Sequence, residues 1–445
     1  MNDLPLIRDF PADAAFAYQH GHRIGTDQFL RDVARLAAML PERPHILNLC
    51  TDRYHFVVGF AAALLRKQIN LLPPNHTPDL IAQLRHRYPG LYCLSDTARE
   101  FQLLDTVSYP GPADESQPVP PVPAIPAAQI AAIAFTSGST GEPVAALKSW
   151  STLVHSALAE IEHLPLRKKT GMVILGTVPP QHMYGLESTV LMAMQGGLAI
   201  HAGRPFYTVD ILAELQTLPR PRALVTTPVH LRALLAESAE FPAMDFLLCA
   251  TASLPQRMAH EAEKRFAAPL HEIYGCTEAG QIAIRRSVES LIWRPFRGLV
   301  LRQDAQGTWV RGGHVEQEVL LSDVIELLDE NTFMLHGRIA DLVNIAGKRT
   351  SLAHLNHQLN AIAGVRDGVF VMPEEDGETI TRLTAFVVAP GMSSKTILSA
   401  LRQRIDAAFM PRPLCFVECL PRNTTGKLPH HELARLLAEC PTAES

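Results

Sequence analysis

The sequence predicts an α/β protein with a large N-terminal domain of helix-covered mixed sheets, a small β-rich subdomain and a small α+β C-terminal domain. Between residues 26 and 249, apolar runs of strand length alternate with segments of helical periodicity. This alternation is typical of a largely parallel sheet covered by helices. From Trp293 onward, short strand-like runs are separated by Gly and Asp, which favours a β-rich region. A chain of 445 residues also exceeds the size of one hydrophobic core, so we expect two or three substructures.

The individual elements follow from local periodicity. Phe29, Val33 and Leu36 recur at helical spacing and predict a helix over residues 26–40. The same pattern predicts helices over 52–67 and 150–163, and strands over 44–50, 69–73, 172–177, 223–226 and 246–249. The proline-rich run 118–126 is compatible with neither a helix nor a central strand, so we expect a surface connection there.

The C-terminal part shows a different order of elements. Short strands are predicted over 299–302, 308–311, 318–321 and 332–336. A helix over 352–363, strands over 368–372 and 383–389, and helices over 395–409 and 430–439 follow. This set is sufficient for a small α+β domain.

Composition narrows the functional class. The chain is 47% hydrophobic and 19% charged, with a net charge of -5, so we expect no nucleic-acid partner. The longest apolar run is far shorter than the roughly 20 residues that span a bilayer, and the N-terminus lacks a basic start, so we expect a cytoplasmic protein with no membrane partner. The seven cysteines are scattered, and Cys415 and Cys419 are predicted to be core thiols that flank a buried strand.

One stretch of small polar residues, in the first third of the chain, has the composition of an anion-binding loop. The apolar run that begins at Ile130 ends in T-S-G-S-T-G, residues 136–141. Such a segment folds tightly and can direct backbone N–H groups and hydroxyls at an anion, although the same residues also form plain turns. It is not a Walker A loop, because no Gly-Lys-Ser/Thr closes it.

Three further motifs follow in the chain: Y-G-C-T-E at 274–278, G-R-I-A-D at 337–341 and P-R-N-T-T-G-K-L at 421–428. Together with the T-S-G-S-T-G segment, they resemble the signature set of the adenylate-forming superfamily, which contains acyl- and aryl-CoA synthetases and peptide-synthetase adenylation domains. The resemblance covers residues 26–436. It implies an adenylation core domain over 1–336, a hinge over 337–341 and a mobile C-terminal domain over 342–445.

The resemblance implies an ATP site. Tyr274 would stack on adenine, Thr277 would contact the α-phosphate, and Glu278 would hold a Mg²⁺ ion that bridges the phosphates, a suitable task for a hard oxygen ligand. Asp323 would bind the ribose hydroxyls and Arg338 would support the same nucleotide. The other positions assigned to ATP are Thr136, Ser137, Gly138, Ser139, Thr140, Gly141, Ala250, Thr251, Ala252, Gly275 and Cys276.

The resemblance also implies residues for the acid and for catalysis. Lys427 would bridge the substrate carboxylate and the α-phosphate, where a cation stabilises growing negative charge. His182 would gate the acyl pocket against the nucleotide and share in catalysis, with Tyr184 and Gly185 beside it in the pocket. The pantetheine and hinge positions would be Ala340, Asp341, Gly347 and Arg349.

The chain departs from the family pattern at several positions. Val144 stands where a lysine is usual, and Ala340 stands where a second hinge acid is common. Lys148 is the nearest positive side chain after the phosphate loop, and we hypothesise that it supplies the missing charge to the pyrophosphate. The alternative is a surface lysine beside Trp150.

The activity implied by the resemblance has two halves. A carboxylic acid, which we expect to be a compact aromatic or a short acyl acid, reacts with MgATP to give acyl-AMP. The acyl group then passes to the phosphopantetheine thiol of an acyl carrier protein or to CoA, and AMP leaves. The departures at Val144 and Ala340 leave an alternative open, namely a non-catalytic module that binds nucleotide or docks on a carrier protein.

Overall fold

The computed structural model describes residues 3–8, 10, 13–97, 103–137, 143–166, 171–338, 342–345, 348–372, 383–423 and 428–440. The α-helices in these ranges are α1 Thr26–Met39, α2 Arg53–Leu65, α3 Pro78–Arg87, α4 Trp150–His163, α5 Met183–Gly185, α6 Met192–Gly196, α7 Thr208–Thr217, α8 Pro228–Ala236, α9 Gln256–Phe266, α10 Leu352–Asn360, α11 Ser394–Arg402 and α12 His430–Glu439. A π-helix, Leu186–Leu191, joins α5 to α6, and a 3₁₀ turn, Ala407–Phe409, follows α11. Within the described ranges, every helix is too short or too polar to cross a bilayer.

Two large sheets form the N-terminal part. Their strands, with a short outer pair β1–β8, are β1 Leu4–Pro5, β2 Ala15–Gln19, β3 His22–Gly25, β4 His45–Asn48, β5 Ile69–Leu72, β6 Tyr92–Ser95, β7 Thr106–Ser108, β8 Ala124–Ile125, β9 Ile130–Ser137, β10 Pro143–Ser149, β11 Val173–Gly176, β12 Ala199–His201, β13 Arg222–Thr226, β14 Phe246–Cys249, β15 Leu270–Cys276, β16 Gly280–Arg285 and β17 Arg294–Pro295. In the described chain, one sheet has the order β10-β9-β5-β4-β6-β7 and the other the order β17-β16-β15-β14-β13-β11-β12-β2-β3. Both sheets are parallel at their centres and antiparallel at an edge, as a mixed sheet requires.

The packing of α2 shows why these sheets hold together. Its sequence, R-Y-H-F-V-V-G-F-A-A-A-L-L, is apolar on nearly every side, and almost all of it is buried. A helix of this kind needs apolar partners all round, and α2 contacts β4 and β5 of one sheet and β12 of the other. Asp52 caps its N-terminus by accepting a hydrogen bond from the backbone N–H of His55. The largest apolar core of the described protein therefore lies between the two sheets.

The remaining strands form smaller sheets. They are β18 Leu299–Asp304, β19 Gly307–Gly312, β20 Val315–Leu321, β21 Asp323–Asp329, β22 Thr332–Arg338, β23 Leu342–Ile345, β24 Lys348–Ser351, β25 Asp367–Val371, β26 Thr384–Val388 and β27 Leu414–Phe416. Strands β18 to β20 form one antiparallel sheet, while β21–β22 and β23–β24 are hairpins. The sheet β25-β26-β27 packs against α10 and α11 through one apolar core and against α12 through another.

The predicted fold class and order of elements are confirmed, and most predicted helices and strands have counterparts within a few residues. The helix predicted over 395–409 is too long, because α11 ends at Arg402 and a separate 3₁₀ turn follows at Ala407–Phe409. The prediction for the C-terminal cysteines is wrong. Cys415 is half-buried and forms a disulfide with Cys440, with Cα atoms 6.5 Å apart, and Cys419 is exposed. The strand in this region, β27, spans Leu414–Phe416, contains Cys415 and lies at the edge of its sheet, so Phe416 is 43% exposed. The spacing of the cysteines gives no sign of this pairing, because it depends on how α12 packs against the sheet.

Candidate active site

The candidate site lies at one edge of the nine-stranded sheet. Strands β11, β13, β14 and β15 run parallel, so their carboxyl ends meet at the same edge. Ligands of α/β proteins bind at such edges, where loops leave the strands. The predicted segments 182–185 and 250–252 follow strands of this parallel set, and 274–278 begins within the last three residues of β15. The topology therefore collects segments that are far apart in sequence.

The Y-G-C-T-E segment forms the end of β15 and the turn into β16. Gly275 is required there, because a Cβ at this position would overlap the carbonyl oxygen of Gly280. Thr277 is half-exposed and Glu278 is exposed. Burial raises the pKa of the Cys276 thiol to about 12, so this side chain is neutral at physiological pH. The turn presents a hydroxyl and a carboxylate to solvent.

The predicted adenine and ribose residues contact one another. Tyr274 is 7% exposed, and its hydroxyl donates a hydrogen bond of 2.8 Å to Oδ2 of Asp323. Its ring centroid lies 5.8 Å from those of Trp293 and Phe333. Asp323 and Arg338 are paired residues at the ends of β21 and β22. The structure therefore brings together three residues separated by up to 64 positions in sequence.

The backbone of the 250–252 segment has an unusual conformation. Thr251 follows β14 by two residues and has φ +86°, a value that favours glycine and is uncommon for a β-branched residue. Ala250 is buried, and Ala252 is exposed. The chain therefore has a glycine-like backbone at this position without a glycine. Strain of this kind is concentrated at functional sites.

The loop that was assigned to the acyl pocket is closely packed. His182 immediately precedes α5 and is half-exposed. Tyr184 is 6% exposed and donates a hydrogen bond of 3.2 Å to the carbonyl oxygen of Thr226, at the end of β13. Gly185 allows the close contact of α5 with the Pro179–Pro180 turn, because a Cβ would overlap the Pro179 carbonyl oxygen. The π-helix that follows is a feature frequent at functional sites.

The T-S-G-S-T-G segment begins at the end of a β-hairpin. Thr136 and Ser137 are the last two residues of β9, and their backbones pair with Val144 and Pro143 of β10. Gly138, Ser139, Thr140 and Gly141 lie outside the described residues. Val144, which replaces the usual lysine, is 54% exposed.

Lys148 is not a surface residue. It is 2% exposed, and its Nζ donates a hydrogen bond of 2.6 Å to the carbonyl oxygen of Glu278. The alternative of a solvated lysine beside Trp150 is therefore wrong. The contact ties β10, the strand that follows the predicted phosphate loop, to the turn that carries Thr277 and Glu278.

Lys148 lies beside a buried glutamate that sequence analysis missed. Glu187, in the π-helix, is 3% exposed and accepts a hydrogen bond of 2.8 Å from the Ser156 hydroxyl. Burial raises the pKa of Glu187 and lowers that of Lys148, and the charge of each opposes the shift in the other. Gly280 makes room for this arrangement, since a Cβ there would lie 2.8 Å from Oε1 of Glu187. A single Glu in the apolar run L-E-S-T-V-L-M-A-M was the available sequence signal.

A second buried acid, Glu160 of α4, was also missed. It is fully buried, and burial raises its pKa to about 8, so it is mostly protonated at neutral pH. Ser188 and Gln281 lie near enough to oppose this pKa shift, but neither forms a well-aligned hydrogen bond with the Glu160 carboxyl group. The side chains of these two neighbours instead bond to one another at 2.7 Å.

The remaining predicted residues are not tested by the structure. Lys427, Ala340, Asp341 and Gly347 lie outside the described residues, and Arg349 is described only by its backbone position in β24, opposite Asn344. The described residues contain no cluster of three or more potential metal ligands. An exposed carboxylate such as Glu278, acting with phosphate oxygens, nevertheless suits Mg²⁺, which commonly binds through one or two carboxylates plus substrate phosphates.

The chain belongs to the family described as AMP-binding enzymes, whose family model matches residues 7–302. It is 26% identical over 296 residues to a 4-coumarate–CoA ligase of Rhodobacter capsulatus, an alignment that covers 66% of this chain and 73% of the relative. It is 24% identical over 347 residues to a 3-hydroxybenzoate–CoA/4-hydroxybenzoate–CoA ligase of Thauera aromatica, covering 68% of this chain and 65% of that enzyme.

Solved structures share the fold. The crystal structure of ATP-bound MatB from Rhodopseudomonas palustris superposes with a TM-score of 0.82 at 16% identity and covers 96% of both chains. The o-succinylbenzoate CoA synthetase MenE from Bacillus subtilis, in complex with ATP and magnesium ion, gives a TM-score of 0.77 at 17% identity, covering 95% of this chain and 97% of that one.

Proposed function

We propose that this protein activates a carboxylic acid with ATP and then transfers the acyl group to a thiol. The substrate carboxylate attacks the α-phosphorus of ATP, the bond from that phosphorus to the bridging oxygen breaks, and acyl-AMP and pyrophosphate form. Tyr274 and Asp323 hold the nucleoside, Thr277 orients the α-phosphate, and Lys427 stabilises the charge that grows on it. A Mg²⁺ ion on Glu278 would neutralise phosphate charge.

The contact between Lys148 and Glu278 carries this proposal. Its donor lies in β10, seven residues after the T-S-G-S-T-G motif, and its acceptor lies in the Y-G-C-T-E motif. The two residues are 130 positions apart in sequence, and the two atoms lie 2.6 Å apart. The contact fixes the hairpin that leads to the phosphate loop against the turn that offers a carboxylate and a hydroxyl. A surface that binds a polyphosphate and its metal ion requires both motifs in one place.

The second half-reaction transfers the acyl group. The thiol releases its proton to solvent as its sulfur attacks the acyl carbon of acyl-AMP, the bond from that carbon to the phosphate oxygen breaks, and the thioester and AMP are the products. We propose that residues 342–445 rotate about 337–341 between the two halves, so that Lys427 withdraws and the β23–β24 hairpin approaches the thiol. The names of the curated relatives support CoA as the acceptor and an aromatic acid as the substrate, and the phosphopantetheine of a carrier protein is the competing acceptor.

Exchange of labelled pyrophosphate into ATP tests the adenylation half. The purified protein should catalyse acid-dependent exchange with at least one member of a panel of aromatic, short-chain and long-chain acids. Parallel assays with CoA and with a phosphopantetheinylated carrier protein identify the acceptor. A protein that binds ATP but exchanges no label with any acid is the non-catalytic module, and that outcome refutes the proposed activity.

A further inference from the structure

An ion pair crosses between the two proposed domains. Arg232 of α8, in the large domain, lies 3.2 Å from Oδ2 of Asp367, the first residue of β25 in the small domain. The same carboxylate accepts two hydrogen bonds from Arg422, of 2.8 Å to Oδ2 and 3.0 Å to Oδ1. Asp367 is therefore shared between an arginine of its own domain and an arginine of the other.

The small domain alone orients the shared carboxylate. Asp367 is 9% exposed, and its Oδ1 also accepts the backbone N–H of Gly368 at 2.9 Å. The orientation of the Asp367 carboxylate therefore does not depend on Arg232. Arg232 adds a third partner, which comes from the large domain, to Arg422 and the Gly368 N–H group. The Arg232 side chain is 26% exposed, and burial lowers its pKa while the charge of Asp367 opposes that shift. Such a pair gains more from the Coulomb attraction than a fully exposed pair does.

The location of the pair connects it to the chemistry. Helix α8 begins directly after Thr227, at the same sheet edge that carries the candidate site. Arg422 belongs to the P-R-N-T-T-G-K-L motif, five residues before Lys427. We propose that Arg232 is a positioning residue, which latches Asp367 and Arg422 against α8 and so holds the small domain in the arrangement used for adenylation. This inference rests on the proposed function, because it assumes that the two halves need different domain arrangements.

Kinetics of the two half-reactions test the role of Arg232. In Arg232→Gln, pyrophosphate exchange should fall about three- to tenfold in kcat, since a modest change in free energy redistributes two domain arrangements. Thioester formation from preformed acyl-AMP and thiol should stay at the parent rate or rise. Arg232→Lys should restore much of the exchange, because it keeps the charge. Equal losses of rate in both half-reactions, or no loss in either, would refute this role of Arg232.

A matched control and a structural readout separate this inference from the proposed function. Arg220→Gln removes an arginine whose side chain is 56% exposed and which pairs with Asp245 inside the large domain, so its kinetics should match those of the parent. Trypsin can cut after Arg338, Lys348 or Arg349, around the proposed hinge. Arg232→Gln should be cut there several times faster than the parent or the control. Equal cleavage rates would refute the proposed role of Arg232 in holding the small domain, even if the parent protein shows no exchange with any acid.

Discussion

Replacing Lys148 with methionine tests whether the Lys148 ammonium group stabilises the folded protein or is free to bind pyrophosphate. The change keeps an unbranched side chain of similar length and removes the charge. In the structure, the ammonium group bonds to the Glu278 carbonyl oxygen and lies beside the buried Glu187. Lys148→Met therefore leaves Glu187 buried without its counter-charge.

The size of the effect follows from that burial. Removing one partner of a buried charge pair costs about 3–5 kcal/mol, because the other charge stays out of water. The unfolding entropy is about 2 cal/mol/K per residue, taken over the roughly 340 residues of the proposed large domain. This loss of unfolding free energy therefore corresponds to a fall in Tm of about 4–7 °C. The double variant Lys148→Met/Glu187→Gln should recover much of the loss, since neither charge remains.

The assay is thermal unfolding without nucleotide, followed by circular dichroism, together with pyrophosphate exchange at varied ATP. Lys264→Met is the control, because Lys264 is an exposed lysine on α9. If Lys148→Met unfolds at the parent temperature and only raises the KM for ATP, then the ammonium group is free to reach the pyrophosphate, and the structural argument is refuted.

The other predictions concern catalysis and pH. Lys427→Ala should reduce acyl-AMP formation by about 10²-fold or more while sparing thioester formation from preformed acyl-AMP, and equal loss in both halves would contradict its role. Glu278→Gln should raise the Mg²⁺ concentration needed for half-maximal exchange, and an unchanged magnesium dependence would remove Glu278 as the metal ligand. Because burial raises the pKa of Glu160 to about 8, the folded state keeps a proton that the unfolded state loses above about pH 4.5, so this group costs about 1.4 kcal/mol per pH unit between those values. Urea unfolding at pH 5 and pH 8 should show a smaller loss of stability at the higher pH in Glu160→Gln than in the parent protein.

The fold was predictable because its elements are periodic. Helix α4 occupies the predicted range, Trp150–His163, and α2 could be recognised as a buried helix from its apolar residues alone. Local patterns determine such elements, whereas the pairing of strands and cysteines depends on tertiary packing. The link between Cys415 and Cys440 is of this second kind, since its residues are 25 positions apart and show no characteristic spacing.

The parts of the candidate site that form contiguous sequence motifs could be predicted, whereas contacts between single residues that are distant in sequence could not. The segment containing Tyr274 and Glu278 is a contiguous pattern, so its position at a strand end could be inferred. The buried pair of Lys148 and Glu187 joins a strand to a π-helix 39 positions later, and no periodicity connects them. Sequence analysis identified Lys148 as unusual, but only the fold shows that its partner is a backbone carbonyl.

Two glycines at the candidate site, Gly185 and Gly275, limit how the proposed acid specificity could be redesigned. Gly185 and Gly275 each face a carbonyl oxygen of the main chain, so any larger residue must displace backbone rather than a side chain that can rotate away. Libraries that randomise these two positions should consist almost entirely of inactive variants. Selection for new acids should instead sample His182, which is half-exposed and therefore leaves more room for other side chains than the buried Tyr184 does.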